Sequence, residues 1–261
     1  MRSFYERYGT WAIITGASSG IGEEFARQLA NLKFNLVLVA RRRERLEILS
    51  AELIRKHKVE VKIIAVDLST DNFLPQIQVV TNSLDVGLLI NNAGFAITGD
   101  FLDQTLEAEV SLLNVNCKAP LMLLHYLGNK MKHRGKGGVI NVASASAFQP
   151  IPYWSNYAAS KAYLLHLSDG LWFELKDKGV DVLALCPGAT ETEFYKRAGI
   201  KRTGVEASEV VRTGIKNLGA KPTVVVGLNN QLITYILKFF PKRLVLKIAS
   251  AVIKNSVGKR P

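Results

Sequence analysis

The 261-residue chain is 48% hydrophobic and 21% charged, a composition that supports a buried core and excludes wholesale disorder. Its two cysteines, Cys117 and Cys186, and its four histidines, His57, His125, His133 and His166, form neither a disulfide framework nor a metal-ligand spacing, so no metal is expected and the thiols read as reduced and buried, as in a cytoplasmic protein. The net charge of +12 is uneven: ten of the 34 basic residues and no acid lie from Val210 onward, leaving +2 on residues 1–209 and arguing against a nucleic-acid-binding body.

No apolar leader-like run precedes Trp11, so no secretory segment is expected. The first strand is predicted over Thr10–Thr15 and runs into Gly16-Ala17-Ser18-Ser19-Gly20-Ile21-Gly22, with a helix over Gly20–Leu32. Glycines here admit positive φ and let the N–H groups of the helix start approach a pyrophosphate. The spacing is G-x-x-x-G-x-G, not the common G-x-G-x-x-G. A second strand, Asn35–Ala40, ends in Arg41-Arg42-Arg43, and a helix follows over Arg43–His57. Dinucleotide folds that grip a ribose 2′-OH carry a carboxylate at that strand end. Here there is none, and a guanidinium suits a 2′-phosphate. NADP(H) is the expected cofactor, with Arg41 the first choice for the contact, Arg42 the second, and Ser18 adding a hydroxyl.

The third strand, Val61–Val66, leads to Asp67-Leu68 and a helix over Asp71–Ser83; the fourth, Val86–Asn91, leads to Asn92-Ala93-Gly94. A long helix over Thr105–Met131 holds Asn114 and Asn116. The fifth strand, Gly138–Ala143, delivers Ser144, and a helix over Tyr157–Lys178 places Tyr157 and Lys161 one turn apart on one face. After the sixth strand, Val180–Leu185, comes Pro187-Gly188-Ala189-Thr190-Glu191-Thr192, then a helix over Ala207–Leu218 and a strand over Thr223–Gly227. The apolar stretch Thr223–Phe240 is interrupted by Asn229, Asn230, Gln231 and Lys238, too polar for a membrane span. Lys242–Lys254 is amphipathic, with Arg243, Lys247 and Lys254 on a basic stripe. It suits a pocket seal, an oligomer contact or an anionic membrane surface.

Seven strands alternating with helices predict one α/β domain of Rossmann type, a doubly wound parallel sheet with helices on both faces and ligands at the strand C-termini. Residues 1–220 form its cofactor-binding, catalytic body, and 221–261 add a last strand and a basic extension.

With T-G-x-x-x-G-I-G, N-N-A-G, Asn116, Ser144, Tyr157-x-x-x-Lys161 and Pro187-Gly188 in this order over about residues 10–200, the chain resembles the short-chain dehydrogenase/reductase family. The resemblance implies an NADP-dependent oxidoreductase of carbonyl reductase or alcohol dehydrogenase type, with Asn116, Ser144, Tyr157 and Lys161 as its catalytic tetrad. A free tyrosine has a pKa near 10, and an ammonium within ~4–6 Å lowers it by ~1–3 units. Lys161 would so tune Tyr157 as proton donor and acceptor while holding the nicotinamide ribose. Ser144 would polarise the carbonyl oxygen, and Asn116 would hold a relay water; Asn114, two residues away, competes for that assignment, and spacing from Asn92 favours Asn116.

The same resemblance assigns Gly16, Ser18, Ser19, Gly20, Ile21 and Gly22 to the pyrophosphate. Asp67 and Leu68 fall to the adenine, Asn92, Ala93 and Gly94 to the adenosine side, and Pro187, Gly188 and Thr192 to the nicotinamide. Thr190 stands where the family more often has valine or isoleucine, so its role is through the backbone. The segments after Asn91, Ser144 and Gly188 supply Phe95, Phe148, Ile151, Trp154, Phe194 and Tyr195, an apolar set that implies a lipophilic ketone, aldehyde or acyl substrate. The lead-in Asp85–Ile90 is similar to that of long-chain 3-oxoacyl-CoA and hydroxysteroid reductases. A homodimer or homotetramer through the helices over Thr105–Met131 and Tyr157–Lys178 is also implied. Two other readings stand beside the enzyme: an NADP(H)-binding sensor, which would carry a damaged tetrad, and a membrane-surface binder acting through the basic tail.

Overall fold

The computed structural model describes residues 4–194, 198–199 and 204–256. Seven strands, β1 (Trp11–Thr15), β2 (Asn35–Ala40), β3 (Val61–Ala65), β4 (Val86–Asn91), β5 (Gly137–Val142), β6 (Val180–Cys186) and β7 (Thr223–Val225), form one sheet in the order β3-β2-β1-β4-β5-β6-β7. Every neighbouring pair is parallel. Residues of alternate parity enter different cores, as the two-residue strand period requires. On one face Ile14, Leu38, Ile90, Ile140 and Leu185 pack against α2 (Gly20–Asn31), α3 (Arg43–His57) and α8 (Ala207–Asn217). On the other, Ile13, Val37, Leu89, Val139 and Val182 meet α4 (Phe73–Thr81) and α6 (Ala119–Arg134). β1 and β4 keep matched faces across a register shift opposite Trp11 and Ala12: Val86 enters the second core although Leu88 and Ile90 enter the first, because Gly87 is the extra residue. A side chain there would run into the Tyr8 carbonyl at the end of α1 (Phe4–Tyr8).

The chain winds outward from β1 to β3 and then returns to the other side of β1. The crevice therefore opens between the C-terminal ends of β1 and β4, the usual binding place of such sheets. Two departures from the predicted elements bear on this edge. The long helix expected over Thr105–Met131 is α5 (Leu106–Leu113), a π-turn over Asn114–Lys118, and α6. The apolar stretch after Thr223 is a three-residue β7 followed by α9 (Leu228–Ile236) and a short turn, before α10 (Lys242–Ser256). Among the described residues, no helix is long and apolar enough to cross a membrane.

Candidate active site

At the C-terminal edge lies a cavity of about 520 Å³. Its floor at one end is the turn after β1, where Gly16 and Gly20 have φ of 67° and 58°. Gly22 lets the first turn of α2 close onto the Gly16 carbonyl, which a side chain would strike. Thr15, the last residue of β1, stitches this turn to the one after β4: its Oγ1 accepts from the N–H groups of Asn92 and Ala93, both at 3.0 Å. Asn92 returns a bond from Nδ2 to the Thr15 carbonyl at 2.9 Å. The N-terminus of α2 therefore faces the cavity with its backbone donors fixed, a cradle for a diphosphate.

The two arginines after β2 part company. Arg41 has its side chain 66% exposed and points to Asp67, 3.6 Å away. Arg42 is 29% exposed and folds over the glycine turn. It donates to Ser18 Oγ at 3.0 and 3.2 Å, to Ser19 Oγ at 2.8 Å and to Glu193 at 3.0 Å. Of the two, Arg42 is the one held beside two hydroxyls at the glycine turn, whereas Arg41 faces Asp67. Asp67 and Leu68 line the adjacent wall, Asp67 being fixed by the Ser69 N–H and hydroxyl at 2.9 and 2.8 Å.

At the other end, α7 (Ser155–Lys176) brings Tyr157 and Lys161 to the cavity, together with Ser144 from the end of β5. Lys161 is 4% exposed, and its ammonium donates to the Val142 carbonyl at 2.8 Å. Burial pushes its pKa down to about 8. Its Nζ lies 5.8 Å from the centre of the Tyr157 ring. Ser144 Oγ accepts from the Ser146 N–H at 3.1 Å and lies 2.8 Å from the Ser146 hydroxyl. The Ala145 N–H donates to the Pro187 carbonyl at 2.8 Å, joining the serine loop to the Pro187-Gly188 turn.

The helix that carries this chemistry is pinned by buried polar links that sequence reasoning missed. Asn91 donates to Asn141 at 2.9 Å, and Asn141 donates to Ser168 of α7 at 2.8 Å. Because Asn91 and Asn141 are register partners on β4 and β5, the chain of bonds crosses the sheet straight into α7. Strand pairing was the signal that would have revealed it. Asn116 is wholly buried: it donates to the Phe95 carbonyl and to Ser160 Oγ, both at 3.0 Å, and accepts from the Phe95 N–H at 3.1 Å. Ser160 in turn donates to the Tyr157 carbonyl at 2.7 Å. Asn114 instead donates to the Ser69 carbonyl at 3.1 Å, so the π-turn separates the two asparagines and aims Asn116 at α7. A side chain on Gly94 would press on both Asn116 Oδ1 and Lys161 Nζ.

Of the other expected residues, Gly16, Ser18, Ser19, Gly20, Ile21, Asn92, Ala93, Gly94, Phe95, Pro187, Gly188, Thr190, Thr192 and Phe194 all line the cavity. Gly188 is required by α9, whose Asn230 would collide with any side chain there. Thr190 is buried and pairs with Val205 in a parallel bridge. Two substrate-side expectations are corrected. Phe148 turns away through the 3₁₀ turn Ala145–Phe148 and packs beside Ala147, Leu165 and Cys186. Trp154 stands behind Tyr157: its indole N–H donates to Thr98 at 2.7 Å and its ring meets the phenol edge-on at 5.0 Å. Tyr195 lies outside the described residues. Ile253 of α10 is buried in the cluster that holds Ile151, Trp154 and Tyr157, so the C-terminal helix covers the substrate side. Burial raises both thiols, Cys117 to about 11 and Cys186 to about 12, and keeps them unreactive. No cluster of metal-ligating residues occurs among the described residues.

Residues 10–202 match the model of the family described as short chain dehydrogenase. The chain is 36% identical over 223 residues to a very-long-chain 3-oxoacyl-CoA reductase from Neurospora crassa; the match covers 82% of this chain and 66% of that protein, just under two thirds of its length. A solved 7beta-hydroxysteroid dehydrogenase superposes with a TM-score of 0.90 at 26% identity, over 95% of this chain and 99% of that one. A short-chain dehydrogenase from Sphingobium yanoikuyae, solved in complex with NADPH, superposes with a TM-score of 0.79 at 32% identity, over 89% and 96% of the two chains.

Proposed function

The chain belongs to the short-chain dehydrogenase family, and we propose that it transfers a hydride between NADP(H) and a lipophilic ketone, aldehyde or 3-oxoacyl compound, as a carbonyl reductase or alcohol dehydrogenase. One observation carries this reading. A single cavity has a guanidinium–hydroxyl anion site at one end and a buried Tyr–Lys pair beside a serine at the other.

The donors present fit a phosphorylated dinucleotide: the exposed start of α2 for the diphosphate, Arg42 with Ser18 and Ser19 for a 2′-phosphate, and Lys161 for a ribose hydroxyl. NADPH held there supplies the hydride. Ser144 donates a hydrogen bond to the substrate carbonyl and raises its polarisation. Tyr157 gives its phenolic proton to the same oxygen as negative charge develops. Lys161 has three donors, one of them spent on Val142, so it can steady both the ribose and the tyrosine oxygen. Asn116 acts at one remove, fixing the Phe95 backbone and, through Ser160, the start of α7. In the oxidative direction the roles reverse.

Phe95 and Phe194 give the substrate end an apolar wall, and the similar proteins named for acyl and steroid substrates support the same chemistry. A carbonyl panel tests the substrate class: kcat/KM should rise with chain length or ring size. Equal turnover of short polar and long apolar ketones would overturn the lipophilic assignment.

A further inference from the structure

The segment after β6 crosses the cleft as a strap. Its base is clipped by the Thr190–Val205 bridge, with the Val205 N–H on the Ala189 carbonyl at 2.9 Å and the Glu191 N–H on the Val205 carbonyl at 3.1 Å. From that base Thr192 rests over Gly20, so closely that a side chain there would meet it. The next residue, Glu193, reaches across to the far wall. One carboxylate oxygen takes Arg42 Nη1 at 3.0 Å and the other takes Arg45 Nη1 at 2.8 Å. Arg42 holds the Glu193 carboxyl below the usual carboxylate range, so it is an anion at neutral pH.

The same Arg42 guanidinium holds Ser18 and Ser19 through its remaining nitrogens. A guanidinium offers five N–H donors in one plane, and a second anion can join only by sharing or displacing the first. We infer that Glu193 is an internal competitor for the 2′-phosphate, and that it sets how strongly the enzyme prefers NADPH to NADH. The inference rests on the NADP(H) reading above and adds a residue to it. Glu193 pulls Arg42 toward the strap and brings a negative charge to the place where the phosphate must sit. NADH makes no demand on that charge. The carboxylate therefore weakens NADPH binding selectively and keeps the preference smaller than Arg42 alone would make it.

The test is titration of the full chain with 2′,5′-ADP, 5′-ADP, NADPH and NADH, in wild type, Glu193→Gln and Glu193→Ala. Both variants should bind the two 2′-phosphorylated ligands about 2- to 5-fold more tightly, the range of a partly exposed ion pair, with a change of less than about 1.5-fold for the other two. A merely structural role would move all four ligands together. Unchanged or weakened binding of 2′,5′-ADP relative to 5′-ADP in both variants overturns the inference while leaving the cofactor reading intact. Failure of the wild type and of both variants alike to distinguish 2′,5′-ADP from 5′-ADP overturns both.

Discussion

Replacing Lys161 by methionine tests the state of the buried ammonium directly. Burial lowers the lysine pKa from 10.5 to about 8, a shift of ~2.5 units that makes the charged form cost about 3 kcal/mol in the folded chain. The sign follows from proton counting. Between about pH 8 and 10.5 the unfolded chain holds this proton and the folded chain does not, so the wild type gains stability as pH rises through that window. Below it both states are protonated and the full cost is present; above it neither is, and the cost vanishes. The variant has no such group. It also leaves the Val142 carbonyl without its 2.8 Å partner, a penalty of about 1–3 kcal/mol that does not change with pH. Urea unfolding of both chains, followed from about pH 7 to 10.5, should show the wild type gaining about 3 kcal/mol on the variant. Titrations of groups not coupled to Lys161 occur in both chains and cancel in the difference. A difference constant to within about 1 kcal/mol across that range would refute the buried, charge-destabilised lysine.

Arg42→Ala should weaken NADPH binding by about 10- to 100-fold and leave NADH within about threefold, the loss of a charge-assisted contact made only to the phosphate; isothermal titration reads both. Thr15→Val removes the acceptor of two backbone N–H groups and should destabilise the chain by about 2 kcal/mol in chemical denaturation, with weaker NADPH binding as the two turns part. Phe173 is 78% exposed on α7, and Leu106 and Val110 are exposed on α5. If a second copy covers these faces, light scattering should give a dimer or tetramer for the wild type and a smaller species for Phe173→Lys.

The seven-stranded sheet was legible because β-branched runs and helical spacing alternate without interruption, and because each motif falls at a strand end. What escaped were features set by the third dimension. The choice between Arg41 and Arg42 depends on which guanidinium folds back over Ser18 and Ser19, and adjacent residues on one strand end give no periodic signal. The interruption of the long helix was missed although Pro120, at the start of α6, marks it; the π-turn over Asn114–Lys118 itself contains no proline or glycine. Phe148 looked like a substrate residue from its place after Ser144, and a single 3₁₀ turn sends it elsewhere. The Asn91–Asn141–Ser168 links required knowing that β4 and β5 are neighbours in register. Glu193 gave no signal in the sequence, since its partners lie about 150 residues earlier in the chain.

The most direct test of the central claim is the rate of NADPH oxidation with a lipophilic ketone, for the wild type and for Tyr157→Phe. Loss of the phenolic proton donor should lower kcat by about 10²–10⁴-fold, with NADPH binding within about threefold of wild type. Turnover by Tyr157→Phe equal to that of the wild type would contradict the mechanism; tight NADPH binding by the wild type with no turnover across the whole carbonyl panel would favour a cofactor-binding sensor instead.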